Sequence, residues 1–229
     1  MLAILADVHG NYPALQAVLD RIDQLGCDRV ISLGDVAGYY AQPNECIEAL
    51  RARNILNLMG NHDHYLVTGE ACPRSQSAND CLSYQRKVIT EGNLEWLAQS
   101  PLSERLGEIS MVHGGWNDPL DEYLPDPQEL YFRDRPGTIF LSAHTHIPLI
   151  RSFKDKIYAN PGAVGQPRDG DPRSAFAIVD GRRIDIERVA YDIDATARAM
   201  RDAGFSPYYY SNLFAGVRIG TKSTTTIVD

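Results

Sequence analysis

Five short stretches hold side chains whose types and spacing suit metal chemistry: Asp7-Val8-His9, Gly34-Asp35, Gly60-Asn61-His62-Asp63, His113-Gly114 and His144-Thr145-His146. Pooled, Asp7, His9, Asp35, Asn61, His113, His144 and His146 mix oxygen donors with neutral imidazoles and contain no thiolate. Such a set suits Mn, Fe, Zn, Ni or Co, and is too nitrogen-rich for calcium or a lone magnesium. It also exceeds the needs of one tetrahedral ion. It suits two divalent transition-metal ions roughly 3.5–4 Å apart that share a carboxylate. A pair of that kind lowers the pKa of a bridging water toward ~7, giving a hydroxide nucleophile, and clamps phosphoryl oxygens during in-line attack. His62 is left over beside the ligands, with Asp63 next to it to orient it. An imidazolium there can protonate a leaving alkoxide or stabilise its charge.

Each stretch stands at the end of an expected strand. Residues 1–6 are a continuous apolar run, suited to a strand buried on both faces. In extended chain, residues two apart point the same way, so Asp7 and His9 are expected to converge. Asn11 stands where a helix N-cap would, Pro13 fits the first turn, and Leu15, Val18, Leu19, Ile22 and Leu25 follow at helical spacing up to Gly26. The unit repeats as a strand over 29–33, a helix over 44–53 and a strand over 54–59 that delivers the Asn61–Asp63 cluster. Strands alternating with helices predict parallel pairing with right-handed crossovers.

Helices are expected over 80–90 and 93–99, as ordinary packing elements or a cap over the site, with a polar loop at 75–79. Strands follow at 109–112, 138–142, 156–159, 174–179 and 182–189, the last two joined by the hairpin signal Asp180-Gly181. Short helices are expected over 127–132 and 194–203. The aromatic segment 207–219 has no assigned structure, although Tyr208-Tyr209-Tyr210 could serve an interface; oligomeric state is otherwise open. With no repeat or low-complexity linker, one domain over 1–220 with a frayed tail over 221–229 is the expectation.

A formal charge of −8 disfavours nucleic acid and membrane surfaces as partners. An anionic substrate therefore needs local cations. Cys27, Cys46, Cys72 and Cys81 show no zinc-ribbon spacing and are expected to be reduced, mostly buried thiols. No apolar run reaches the ~20 residues of a membrane span, and Met1 opens directly into a strand, so a cytoplasmic location is expected.

Taken together and in order, the five stretches resemble the signature of the calcineurin-like metallophosphoesterase superfamily. The loop at Gly38-Tyr39 and the run Asn160 to Arg168 resemble its small prokaryotic, phosphodiesterase-like branch. The resemblance implies an α/β fold, a four-layer α-β-β-α sandwich with two mixed β-sheets. It implies one metal held by Asp7, His9 and His146, a second by Asn61, His113 and His144, and Asp35 as the bridge. His62, supported by Asp63, would be the catalytic histidine. The implied activity is hydrolysis of a small phosphoester, either a phosphodiester or a small nucleotide.

Two departures stand out. No arginine follows Gly34-Asp35, which argues against phosphoprotein phosphatase activity, and Ala143 stands where the last motif usually has glycine. Arg168 is the expected replacement phosphate contact, against the alternative of a surface pair with Asp169 or Asp171. Tyr39 and Asn11 are the other expected substrate contacts. Tyr40 could line the cleft or simply pack. A catalytically silent interaction scaffold of the same fold is the competing reading. A DNA nuclease of the superfamily would need basic surfaces that this acidic chain lacks.

Overall fold

Strand β1 (Leu2–Leu5) turns alternate side chains into two different cores, Ala3 and Leu5 into one and Ile4 into the other. This is the period of two expected of a strand buried on both faces. Residues 1–221 are described by a computed structural model; from residue 222 on, the expected frayed tail lies outside the described residues. After β1 come α1 (Tyr12–Leu25), β2 (Arg29–Ser32), α2 (Pro43–Ala52), β3 (Leu56–Asn57), α3 (Asn61–Thr68), α4 (Gln76–Val88) and α5 (Glu91–Ala98). The second half holds β4 (Ser103–Leu106), β5 (Ile109–Val112), α6 (Glu129–Phe132), β6 (Ile139–Leu141), β7 (Leu149–Ser152), β8 (Ile157–Asn160), β9 (Ser174–Asp180), β10 (Arg183–Val189) and α7 (Ile193–Asp202).

The strands form two five-stranded sheets, ordered β10-β9-β1-β2-β3 and β4-β5-β6-β8-β7. Both are mixed. β1, β2 and β3 run parallel while β9 and β10 run against β1. In the second sheet β5, β6 and β8 are parallel, with β4 and β7 antiparallel at the edges. The sheets meet face to face across Ile4, Ala6, Ile31, Leu33 and Leu58 from one and Met111, Ile139, Leu141 and Ala159 from the other. Helices α1, α2 and α7 cover the outer face of the first sheet. The outer face of the second is covered more thinly, by α6 and an aromatic cluster of Phe132, Phe140, Tyr158 and Trp116.

Several elements differ from expectation. β3 is only two residues long, and the Asn61–His64 cluster is the first turn of α3 rather than a plain strand end. Helix α4 starts earlier because the Ser75 hydroxyl accepts the Ala78 N–H at 3.2 Å, an N-cap within a stretch read as loop. The edge strands β4 and β7 were not anticipated; their half-polar sequences carry little alternation. Segment 207–219 forms two short 3-10 turns, Pro207–Tyr209 and Ser211–Ala215. Tyr210 is buried and the Tyr209 hydroxyl donates to Asp80 at 2.7 Å, so of the three tyrosines only Tyr208 is exposed. The four cysteines are unpaired, three of them buried. Among the described residues no helix is long and apolar enough to cross a membrane.

Candidate metal centre

The loops after β1, β2, β5 and β6 and the start of α3 converge at one end of the two facing sheets. The β1 and β2 loops are tied together by backbone bonds, Asp7 N–H to Gly34 O at 3.0 Å, His9 N–H to Asp35 O at 2.9 Å and Gly10 N–H to Val36 O at 2.8 Å. Asp7 and His9 do converge, but not as neighbours on an extended strand. Both take left-handed backbone, with φ of 52° and 56°. Asp35, His144 and His146 do the same, at 56°, 65° and 61°, and Asn54 is the one further non-glycine residue so placed among the described residues. Each such residue costs about 1–3 kcal/mol and persists only where its surroundings hold it. Backbone strain therefore gathers on expected ligands.

Two groups of potential ligands result. Asp7, His9 and His146 form one; Asp35, His113 and His144 form the other, with ligand atoms inside each within 4.8 Å of one another and every residue buried. Asp7 Oδ1 lies 3.9 Å from His9 Nε2 and 3.5 Å from His146 Nε2. Asp35 Oδ2 lies between the groups, 3.7 Å from His9 Nε2 and 3.4 Å from His113 Nε2. Asn61 Oδ1 is 3.1 Å from His113 Nε2.

The chemistry of these contacts tests whether a cation fits. His9 Nδ1 faces Ala37 O at 2.8 Å and His146 Nδ1 faces Gln166 O at 2.7 Å, so each Nδ1 carries the proton. Their Nε2 lone pairs then confront one another at 3.1 Å. Burial pushes both imidazoles well below their ordinary pKa, so neither relieves the clash by charging. Both Asp7 oxygens and Asp35 Oδ2 are buried without any hydrogen bond. Acceptors packed against acceptors, with orphaned carboxylate oxygens among them, call for a cation.

Electrostatics agree. Burial pushes the Asp7 carboxyl up to about 8. Burial opposes charge on Asp35 too, but the His113, His62 and His9 imidazoles hold it far below the usual carboxylate range. Burial lowers His113, yet Asp35 outweighs it and lifts the imidazole to about 9. Burial drives His144 down to about 2. Protons on Asp7 and His113 thus sit where a metal ion would.

His62 lines a cavity of about 100 Å³ above these groups, with Asp35, Asn61, His144, His146, Tyr39 and Arg168. Its backbone N–H donates to Asp35 Oδ1 at 2.8 Å, while its Nδ1 has no partner. Asp63 does not orient that ring. Its Oδ1 accepts the Ala37 N–H at 2.8 Å and its Oδ2 the Gly60 N–H at 3.3 Å, clipping the β2 loop to the start of α3. The reason is helical: as the third residue of α3, Asp63 reaches back to the open N–H groups of the helix start. Asn11 also leaves its expected role. It is fully buried behind the site, donating to Gly165 O at 2.8 Å and accepting from Ala14 N–H and the Thr196 hydroxyl, so it caps α1 and ties the C-terminal part in.

Arg168 does reach the cavity. Asp169 pairs with Arg188 and Asp171 with Arg173, so the alternative surface pairing is not made. Arg168 donates instead to Tyr39 OH at 3.2 Å and to Gln166 Oε1, and has no carboxylate partner among the described residues. Tyr40 packs, buried, with its hydroxyl taking the amides of Gln166 and Asn212. His64 lies outside the site, facing Glu70 at 3.6 Å.

Two further contributors escaped sequence reading. Gln85 is buried, accepting the Gly38 N–H at 2.8 Å and donating to Tyr40 O at 2.6 Å, so it pins the loop over His9. Its signal was available: it occupies the apolar stripe of Ala78, Cys81 and Leu82 on α4. Gly38 has φ of 120°, and a Cβ there would lie 2.5 Å from His9 Nδ1 and 2.9 Å from His62 Nδ1. Only glycine lets that loop press on both rings.

Comparison with known proteins extends these observations. Residues 1–183 match the model of the calcineurin-like phosphoesterase superfamily domain. An uncharacterized protein, MJ0912, from Methanocaldococcus jannaschii is 35% identical over 217 residues, covering 84% of this chain and 88% of that protein. The phosphodiesterase YfcE of Escherichia coli is 23% identical over 173 residues, covering 76% and 84%. The crystal structure of a metallophosphoesterase from Sphaerobacter thermophilus superposes with a TM-score of 0.84 at 32% identity, covering 94% of this chain and 98% of the other.

Proposed function

The chain belongs to the calcineurin-like phosphoesterase superfamily, and from that premise we propose that it hydrolyses a small phosphoester, a phosphodiester or small nucleotide, at a dinuclear metal centre. The observation that supports this is the pair of facing ligand clusters joined by Asp35 Oδ2, in which both Asp7 oxygens and Asp35 Oδ2 are buried without a hydrogen-bond partner. Asp7, His9 and His146 would hold one ion, Asn61, His113 and His144 the other, with Asp35 shared. When bound, two divalent ions supply a water of lowered pKa and a double clamp on phosphoryl oxygens.

The remaining steps fall to this chain's own groups. Arg168, a cation without a carboxylate partner, binds the phosphate and is steered by Tyr39 and Gln166. His62, neutral in the free protein because burial lowers its pKa, lines the cavity. An entering anion favours its protonated form, and the ring then gives its proton to the leaving oxygen. YfcE bears the name phosphodiesterase, which favours a diester here. The test is a screen of metal-reconstituted protein against a diester, a monoester and a nucleotide panel. Hydrolysis of none of them, with metal bound, removes the proposal.

A further inference from the structure

The cavity above the metal ligands, about 100 Å³, admits a phosphoryl group and little else, so the rest of any substrate must leave through its mouth. Two tyrosine–arginine pairs stand on either side of the ligand clusters. The inner pair is Tyr39 with Arg168, whose guanidinium lies 5.6 Å from the ring centroid, beside His9 and His62. The outer pair is Tyr123 with Arg218, at 5.8 Å, beside His144. Arg218 also donates to the Tyr123 hydroxyl.

The pairs differ in what they leave open. Tyr39 is buried, whereas Tyr123 keeps 38% of its surface exposed while still lining the cavity. The Tyr123 and His144 rings stand nearly perpendicular, at 79° and 5.5 Å, so the two do not stack on one another. Its ledge is rigid: Asp118 Oδ1 accepts the Leu120 and Asp121 N–H groups, and Glu122 holds the Asn117 N–H at 2.8 Å. The other arginine at the mouth, Arg74, is neutralised by Asp121, but Arg218 has no carboxylate partner among the described residues. Arg218 also lies beyond the 1–183 stretch that matches the superfamily model.

Resting on the phosphoesterase reading above, we propose that Tyr123 and Arg218 form a docking platform for a nucleoside, and that the substrate is a nucleotidyl phosphoester whose base stacks at the cavity mouth. A fixed aromatic ring suits stacking of a planar base, and an uncompensated guanidinium beside it suits the base's carbonyl oxygens. It offers nothing specific to a simple alkyl ester.

The test holds the leaving group constant. Manganese-loaded, full-length protein is assayed on thymidine 5′-(p-nitrophenyl) phosphate and on methyl p-nitrophenyl phosphate, both releasing p-nitrophenolate. The wild type is expected to show a KM about tenfold lower for the thymidine ester. Tyr123→Ala erases that difference by raising only the thymidine KM, Tyr123→Phe keeps most of it, and Arg218→Ala removes part. By calorimetry, Tyr123→Ala weakens thymidine 5′-monophosphate about tenfold and leaves inorganic phosphate unchanged. Equal KM values for the two esters in the wild type, or a loss shared by both in Tyr123→Ala, overturn the platform while leaving the phosphoesterase reading intact. Failure to cleave either diester overturns the platform; failure on the monoester and nucleotide panel as well overturns the phosphoesterase reading with it.

Discussion

Two concave regions of this molecule differ in the chemistry of the groups that line them. Beside edge strand β3, a groove of about 490 Å³ is lined by Arg51, Asn54, Trp96, Gln99 and Pro101. The cavity over the ligand clusters has about one fifth of that room. Yet in the larger groove Arg51 is engaged by Asn93 Oδ1 at 2.7 Å, the orphaned acceptor is a single neutral amide oxygen, Asn57 Oδ1, and only Asn54 has left-handed backbone. In the smaller and the ligand clusters beneath it, carboxylate oxygens are orphaned, imidazole lone pairs confront one another, and five residues share that backbone state. Volume marks where something could fit. Unsatisfied acceptors held in place by strain mark where a cation and a reaction belong.

The sharpest way to break this contrast is to remove the shared carboxylate. Asp35→Asn is expected to lower kcat for a phosphodiester at least about 10³-fold, whereas Trp96→Ala in the larger groove leaves it within about twofold. Comparable losses in steady-state assays of the two variants would show that the contrast carries no functional meaning. Next comes His62→Gln, with an expected fall in kcat of about 10²–10⁴-fold and unchanged metal affinity by calorimetry. A loss of metal instead would make His62 a ligand rather than a proton donor.

Arg168→Ala should raise KM for the diester about 10–100-fold with a smaller effect on kcat, the worth of a charge-assisted hydrogen bond. An unchanged KM removes Arg168 from the phosphate site. The gentlest probe is pH. Asp7 goes from 3.8 unfolded to about 8 folded, so across that window the folded chain holds a proton the unfolded chain has lost, and stability falls as pH rises. His113, raised from 6.5 to about 9, contributes stability that is full below 6.5 and gone above its folded value, the same direction. Metal-free protein is therefore expected to lose about 5 °C or more in Tm between pH 7 and pH 9. Manganese binding would displace both protons, so it should flatten that loss, and its affinity should climb with pH up to about 9. A metal-free Tm that rises over this range would contradict the buried, protonated Asp7.

Much of the candidate site was legible because ligand chemistry is written in residue type. Asp, Asn and His at five strand ends have few other uses in common, so the set could be pooled without knowing the geometry. The strands were legible for a similar reason: apolar runs such as 1–6 bury both faces, and Asp180-Gly181 turns β9 into β10. What misled was local inference about orientation. Asp63 beside His62 looked like its support, but the start of α3 turns the carboxylate back onto backbone N–H groups. Asn11 looked available to substrate, but its amide is consumed by Gly165, Ala14 and Thr196, the last far along the chain.

The sequence by itself determined the candidate donors, rich in imidazole and without thiolate, and the apolar run that buries both faces of β1. The tertiary structure alone decided which candidate donors come together, because that depends on loops from two sheets meeting at one end. It also decided that Asp7 and His9 converge through left-handed backbone, not strand periodicity, and that Arg218 reaches Tyr123 across nearly half the chain. Residue type sets what a side chain can bind; only the closing of distant loops, held by backbone hydrogen bonds, sets what it faces.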